Sequence, residues 1–171
     1  MLSRRPDPSE FAPFYANYIA QVPDGDLVAT LERQTGETSA YITAQPDARR
    51  TFRYADGKWS IAETLLHVID SERVFSYRML RIARGDATDL PGFDQDAYVP
   101  ASKADARSLL SLQAEFTAVR SSTLQLIRHL GDDVWDRHGR ANGYGVSARA
   151  LAWICAGHEA HHLRILRERY R

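Results

Sequence analysis

The stretch that most constrains the fold lies near the end of the chain, at residues 151–166. At about 100° per residue, one face of a helix here mixes apolar side chains with histidines. That face carries Leu151, Cys155, His158, His162, Ile165 and Leu166. His158 and His162 are four residues apart, so their imidazoles stand one turn above each other and can converge on one ion. Because buried imidazoles without partners leave ring nitrogens unsatisfied, the pattern favours a metal-binding pair over ordinary core residues.

The overall composition is typical of one soluble domain spanning residues 1–171. The chain has 171 residues, 44% of them hydrophobic, which is enough to bury a core without disulfides. Its 22 Lys and Arg residues balance 22 Asp and Glu residues, so no net field attracts nucleic acid or an anionic membrane. With Cys155 as the single cysteine, and with no signal peptide or long apolar run, we expect a cytoplasmic protein without nucleic-acid or membrane partners.

The clearest helix signal follows Trp59. Ser60 is an N-cap residue and Glu63 lies three residues later, the pattern of a capping box. The helix is predicted to run to about Gly85. Its apolar stripe carries Ile61, Leu65, Val68, Phe75, Met79 and Ile82, with His67 on the flank.

Other helices are predicted from about residue 10, over 26–43, from Ser102 to about Leu130, and after the N-cap Ser147. Residues 86–101 form a connection longer than usual, which is typical of lids and binding loops. Residues 139–145 are interpreted as a glycine-containing loop. With four main helices and no convincing sheet, the predicted fold is an all-α, four-helix bundle.

A third ligand for the same ion would come from another helix. Catalytic zinc-like sites commonly use three protein ligands and keep one position open. His67 is the natural candidate, because its long helix would pack against the last helix of a bundle. Asp70 and Glu159 lie near these histidines in sequence, where they could orient imidazoles or transfer a proton.

Residues 158–162 also read His-Glu-x-x-His, in which two histidines bind zinc and the glutamate is the general base of metalloproteases. Only nine residues follow His162, too few for a downstream third ligand and the rest of a protease domain. A protease is therefore the minor interpretation. Cys155 is interpreted as a core residue. The remaining histidines, interpreted as solvated or structural, are His129, His138 and His161.

Four spaced motifs resemble one known family. They are residues 59–70 (WSIAETLLHVID), 81–86 (RIARGD), 90–96 (LPGFDQD) and 157–162 (GHEAHH). Together they resemble the DinB/YfiT-like superfamily from about residue 59 to the end of the chain. The resemblance implies a bundle of up-down-down-up topology and a divalent metal held by His67, His158 and His162. It also implies relatives that are transferases and isomerases using low-molecular-weight thiols, and bundles that often form homodimers.

Two functions of different classes follow from these observations. The first is a metal-dependent enzyme acting on a small molecule, either a thiol S-transferase or a hydrolase with Glu159 as a proton acceptor. The second is a non-catalytic, stress-associated bundle whose metal is structural. DNA association is a weaker third hypothesis, which the neutral composition opposes. Zinc and nickel are the foremost candidates for the metal, with iron, copper and manganese as alternatives.

Overall fold

The computed structural model describes residues 2–171, which form six α-helices and one β-hairpin. The helices are α1 (Ala16–Ile19), α2 (Leu27–Thr43), α3 (Ile61–Ala83), α4 (Gln95–Ser102), α5 (Leu109–Arg128) and α6 (Ala148–Arg169). The strands are β1 (His138–Ala141) and β2 (Tyr144–Ser147). Short 3₁₀ turns occupy Pro8–Glu10, Pro13–Tyr15, Asp47–Thr51, Ala104–Ala106 and Asp132–Val134.

The four long helices form the bundle that the sequence predicts. α3 packs against α6 over the most extensive helix–helix interface, and α3 also packs against α5. α2 packs against the same two helices, α5 and α6, so α2 and α3 lie at diagonal positions. The short α1 packs on the outside of α6. The up-down-down-up arrangement of helix directions stays a prediction.

The capping signals that place the two site-bearing helices are confirmed. The Ser60 hydroxyl accepts a hydrogen bond from the Glu63 backbone N–H at 3.0 Å, and the Glu63 carboxylate accepts one from the Ser60 N–H at 2.7 Å. At the start of α6, the Ser147 hydroxyl accepts from the Ala150 N–H at 2.9 Å. Because each cap satisfies backbone donors at a helix start, α3 and α6 begin at defined residues.

The predicted helix start at Ser102 is wrong. Ser102 ends α4, and its hydroxyl donates backwards to the Val99 carbonyl at 2.6 Å. The next residue, Lys103, adopts a left-handed backbone with φ of 51°, which interrupts the helix. α5 begins later, where the Ser108 hydroxyl accepts from the Ser111 N–H at 3.1 Å. The helix predicted from residue 10 begins only at Ala16, as the short α1, and is preceded by two 3₁₀ turns separated by the extended backbone of Phe11.

The segment predicted as a loop at residues 139–145 belongs to an antiparallel hairpin, so the expectation of no sheet is also corrected. β1 and β2 pair from His138 opposite Ser147 to Ala141 opposite Tyr144. Asn142 and Gly143 form the turn with positive φ angles of 53° and 79°, as two-residue hairpin turns require. The hairpin leads directly into α6.

The hairpin also anchors the long connection after α3. The Leu90 N–H donates to the Arg140 carbonyl at 3.0 Å, and the Leu90 carbonyl accepts from the Asn142 N–H at 2.9 Å. The connection is therefore held beside the end of the bundle that carries the hairpin. Among residues 2–171, no helix has the length and apolar character needed to cross a membrane.

Candidate metal centre

The three predicted ligand histidines meet between α3 and α6. The His158 Nε2 atom lies 3.0 Å from His67 Nε2 and 3.2 Å from His162 Nε2. One ligand atom from each of the three residues lies within 4.8 Å of the others. His67 and His158 are each only 5% exposed, and His162 is partly buried. The structure thus brings together residues that are separated by 91 positions in the chain.

Burial keeps all three imidazoles in the neutral form. It lowers the pKa of His67 to about 4, and burial together with the neighbouring histidines lowers the pKa of His162 to about 3. Burial also holds the pKa of His158 well below its ordinary value, with a further contribution from His162 and His67. Near pH 7 each ring therefore offers a nitrogen lone pair, which is the form that binds metal.

The three facing nitrogens suit a divalent cation better than they suit each other. A neutral imidazole carries one N–H, so the His158 Nε2 atom cannot satisfy both neighbouring Nε2 atoms with full hydrogen bonds. Ligand nitrogens at zinc distances of about 2.0–2.1 Å in a tetrahedral site would lie roughly 3.3 Å apart. The observed separations of 3.0 and 3.2 Å are close to that value. The donor set therefore fits a metal.

Aromatic side chains fix the orientation of the ligand rings. The Trp59 ring lies 4.8 Å from the His67 ring, between centroids. His158 is flanked by Tyr18 at 5.3 Å and Phe75 at 5.5 Å, both in edge contacts. Packing of this kind restricts the rotation of the rings.

Glu159 lies outside the histidine cluster. Its carboxylate accepts a hydrogen bond from the Thr38 hydroxyl at 2.6 Å and pairs with the Arg120 guanidinium, which also binds Glu72. Successive side chains of a helix point about 100° apart. The Glu159 side chain therefore faces other helices than the side chain of His158 does. Burial raises the pKa of Glu159, whereas Arg120 and Thr38 act to lower it. The contacts of Glu159 connect α6 to α2 and α5, and through Arg120 to Glu72 on α3.

The other chemically active candidates are not members of the three-histidine cluster, although the His161 ring contacts the His162 ring at 5.1 Å between centroids. Asp70 pairs with Arg73 at 3.2 Å, and burial raises the pKa of Asp70. Cys155 is buried, and desolvation raises the pKa of its thiol well above the ordinary value. His161 contacts the Gln21 side chain at 3.4 Å rather than the other imidazoles' ring nitrogens. Buried thiols of this kind are inert, which supports the interpretation of Cys155 as a core residue.

Gly157 allows α1 to approach the ligand helix. A Cβ atom at this position would lie 2.2 Å from the Tyr18 backbone oxygen, far inside contact distance. The absence of a side chain therefore lets the Tyr18 backbone rest on α6, with its ring against His158. A glycine inside an otherwise apolar helix was the sequence signal for this contact.

Cavities open on both sides of the histidine cluster. One, of about 290 Å³, is bounded by Trp59, Asp96 and His162. The other, of about 270 Å³, is bounded by His158 and several aromatic side chains of the N-terminal segment and α3. Each cavity is therefore bordered by one histidine of the cluster, His162 or His158.

Two buried arginines near this region were not predicted from the sequence. Arg78 and Arg120 are 3% and 0% exposed. Arg120 follows Phe116 by one helical turn, and Arg78 similarly follows Phe75, so each lies at an apolar edge of its helix. A charged residue on an apolar stripe was the available signal, and only the histidines were interpreted in this way.

The fold and the ligand set together define a helical bundle with a three-histidine candidate metal centre between two of its helices. The chain belongs to the DinB superfamily, whose family model matches residues 30–166. This match begins within α2, earlier than the motifs that start at residue 59. No curated protein sequence matches the chain.

Solved structures share the fold at low sequence identity. YfiT from Bacillus subtilis, described as a probable metal-dependent hydrolase with an unusual four-helix bundle topology, is 16% identical with a TM-score of 0.73. The similarity covers 96% of this chain and 90% of YfiT. A mycothiol-dependent maleylpyruvate isomerase is 14% identical with a TM-score of 0.69, over 85% of this chain and 61% of the isomerase chain. This chain thus matches about three-fifths of the isomerase, and the likeness to both structures is one of fold.

Proposed function

We propose that the protein is a metal-dependent enzyme acting on a small molecule, with a divalent ion, zinc or nickel, held by His67, His158 and His162. The observation that carries the proposal is the convergence of three neutral imidazole nitrogens beside two cavities. Structural zinc sites are closed by four protein ligands, whereas three ligands beside open space are typical of catalytic sites.

The donor set favours chemistry on an anionic ligand. Three neutral imidazoles leave the full charge of a divalent ion uncompensated, and such an ion lowers the pKa of a bound thiol or water. Trp59, Tyr18 and Phe75 pack against the ligand rings and restrict their rotation. Glu159 is committed to Arg120 and Thr38, so it contributes no proton acceptor at the histidine nitrogens.

Among enzymes of this kind, we favour a thiol S-transferase. An ordinary thiol has a pKa of about 8.5 and water one of about 15.7, so a metal-bound thiol loses its proton more readily than metal-bound water when no protein base is close. In the net reaction the thiol sulfur forms a bond to a substrate carbon, the bond from that carbon to its leaving group breaks, and the leaving group departs with the electron pair. The thiol proton passes to solvent. The dependence of the isomerase neighbour on mycothiol supports a thiol as co-substrate.

A hydrolase is the second candidate, supported by the description of YfiT as a probable metal-dependent hydrolase. It would use the same three ligands, with water in place of the thiol. The two candidates differ in whether a low-molecular-weight thiol changes the metal environment.

Metal analysis of purified variants tests the proposal. We expect one equivalent of zinc or nickel in the wild type, and less than a tenth of that in His158→Ala and His67→Ala. His161→Ala is the matched control, because His161 lies on the same helix but outside the ligand set, and it should keep its metal. A folded His158→Ala variant that retains a full equivalent would contradict the assignment.

The reaction class is tested on cobalt-substituted protein. Titration with glutathione, mycothiol or bacillithiol should add a sulfur-to-cobalt charge-transfer band if a thiol is the co-substrate. An unchanged spectrum with all three thiols would remove the transferase and leave the hydrolase.

A further inference from the structure

Arg78 is a buried cation without a buried anion. Three arginines of the described chain are at most 3% exposed: Arg78, Arg120 and Arg149. Arg120 pairs with Glu72 and Glu159, and Arg149 pairs with Glu10 and Asp136. By contrast, no carboxylate within residues 2–171 lies within salt-bridge distance of the Arg78 guanidinium.

The partners that Arg78 does have are uncharged: two oxygens, and the Phe93 ring, whose centroid lies 5.9 Å from the guanidinium carbon. Its guanidinium donates to the Pro91 carbonyl at 2.6 Å and lies against the Tyr15 hydroxyl. An arginine carries five N–H donors in a planar fork, so these two oxygens leave donors and the full positive charge uncompensated. Burying a charge is costly unless an ion of opposite sign compensates it. The arrangement therefore suits a bound anion.

Arg78 lines the same cavity as His158. The cavity of about 270 Å³ also contains Ser71, whose buried hydroxyl oxygen has no hydrogen-bond partner among the described residues. Its remaining walls are mostly aromatic, formed by Phe14, Tyr15, Tyr18, Phe75 and Phe93. A volume slightly below the usual range for ligand pockets points to a small ligand.

We propose that this cavity is the substrate pocket, and that it selects a small carboxylate with a planar apolar body. Arg78 binds the carboxylate through its fork, the aromatic walls pack against the apolar body, and the reactive carbon lies towards His158. The last point rests on the proposed metal enzyme, whereas carboxylate binding does not. A single guanidinium matches the single charge of a carboxylate, while a phosphate dianion would keep one negative charge without a counterion in the cavity.

The test compares two probes of nearly the same size and shape, benzoate and benzamide, of which only benzoate carries a charge and only benzamide carries N–H donors. Affinities are measured by ligand-observed NMR on chelator-treated protein, so that the pocket is assayed without the metal. A charge-assisted hydrogen bond is stronger than a neutral one, and we expect benzoate to bind about tenfold more tightly than benzamide or better. Equal affinities, or no benzoate binding at millimolar concentration, would overturn the proposal, and so would tighter binding of phenyl phosphate.

Variants locate the effect. Arg78→Gln should reduce the preference for benzoate to nearly one, and Arg78→Lys should restore part of it. Arg73→Gln is the control, because Arg73 lies on the same helix, is 46% exposed and is not in the cavity wall. A folded Arg78→Gln variant that still binds benzoate more tightly than benzamide by the wild-type factor would overturn the assignment.

If that variant fails to fold, the Tyr15→Phe variant and the comparison of benzoate with benzamide on the wild type test carboxylate binding instead. Metal content is measured separately on the same protein preparations before chelation. Absence of metal would count against the metal centre, and absence of benzoate binding would count against the pocket.

Discussion

Arg120 and Glu159 form a buried ion pair inside the bundle, and Glu159 is the next residue along the chain from His158 of the candidate metal centre. Arg120 reaches from α5, donates to Glu72 on α3 and to the Leu31 carbonyl on α2, and so contacts every other long helix. Because Glu159 is fixed by this arginine, the rotation of α6 about its axis is fixed too. We infer that the ion pair positions His158 towards α3.

Replacing Arg120 with Met should destabilise the fold strongly. The change leaves two carboxylates buried without a counterion, and removing one partner of a buried pair typically costs about 3–5 kcal/mol. Urea unfolding measures the loss. Arg128→Met, on the same helix but in an exposed pair with Glu32, should lose less than about 1 kcal/mol. A loss of similar size in both variants would show that the buried network is not what holds the helices.

Replacing Gly157 with Ala should separate α1 from α6. The new methyl group would meet the Tyr18 backbone oxygen, and overpacking of this kind costs about 1–3 kcal/mol. Gly36→Ala is the matched control, because Gly36 also lies inside a helix but has no atom within 4 Å of the added carbon. That variant should gain up to about 1 kcal/mol from helix propensity. Thermal unfolding of both variants gives the comparison, and two stabilised proteins would refute the close contact.

The metal-free protein should lose stability as the pH falls below about 6.5. In this range unfolded histidines gain protons, whereas folded His67 stays neutral until its pKa of about 4 and His162 until about 3. The unfolded state then binds more protons, so the free energy of unfolding decreases with falling pH, by at most about 1.4 kcal/mol per pH unit for each histidine.

Urea midpoints at pH 7, 6 and 5 measure this dependence. His67→Gln removes one of the titrating groups and should show a shallower decline than the wild type. The carboxylates titrate in both proteins, so the difference between their two pH dependences of stability gives the contribution of His67. Parallel curves would mean that His67 is readily protonated in the folded state.

Zinc or nickel should stabilise the wild type against unfolding. A ligand that binds only the folded state adds about 2.7 kcal/mol when its free concentration is 100 times its Kd. We expect a higher Tm on metal addition, its reversal by a chelator, and no effect in His158→Ala. The same rise in that variant would place the binding elsewhere on the protein.

Local and periodic features of the sequence predicted much of this structure. Ser60, Glu63 and Ser147 mark helix starts through contacts within one turn, so their pattern is readable without tertiary information. The histidine pair on α6 is likewise a property of one helix. His67 was placed by bundle packing and by family resemblance, and the structure brings it to the pair.

What the sequence did not show depends on contacts between distant segments. Arg120 acquires its partners from three other helices, and periodicity alone does not identify them. The interpretation of Glu159 as a proton acceptor rested on its place in a five-residue pattern, without knowledge of the arginine opposite. The hairpin was missed for a different reason, since Asn142-Gly143 is a strong turn signal that was interpreted only as loop composition.

The pairing of the long connection with the hairpin at Leu90 determines which nearby residues can be substituted without disturbing the bundle. The hairpin pairs with that residue through its backbone N–H and carbonyl, while the Leu90 side chain is buried in the core. Phe93 and Gln95, a few residues further on, line the cavity and lie outside the four long helices. Substitutions at these two positions therefore change the cavity wall without replacing a residue of α2, α3, α5 or α6. A library randomised at both positions would vary the ligand preference while the three histidines are kept.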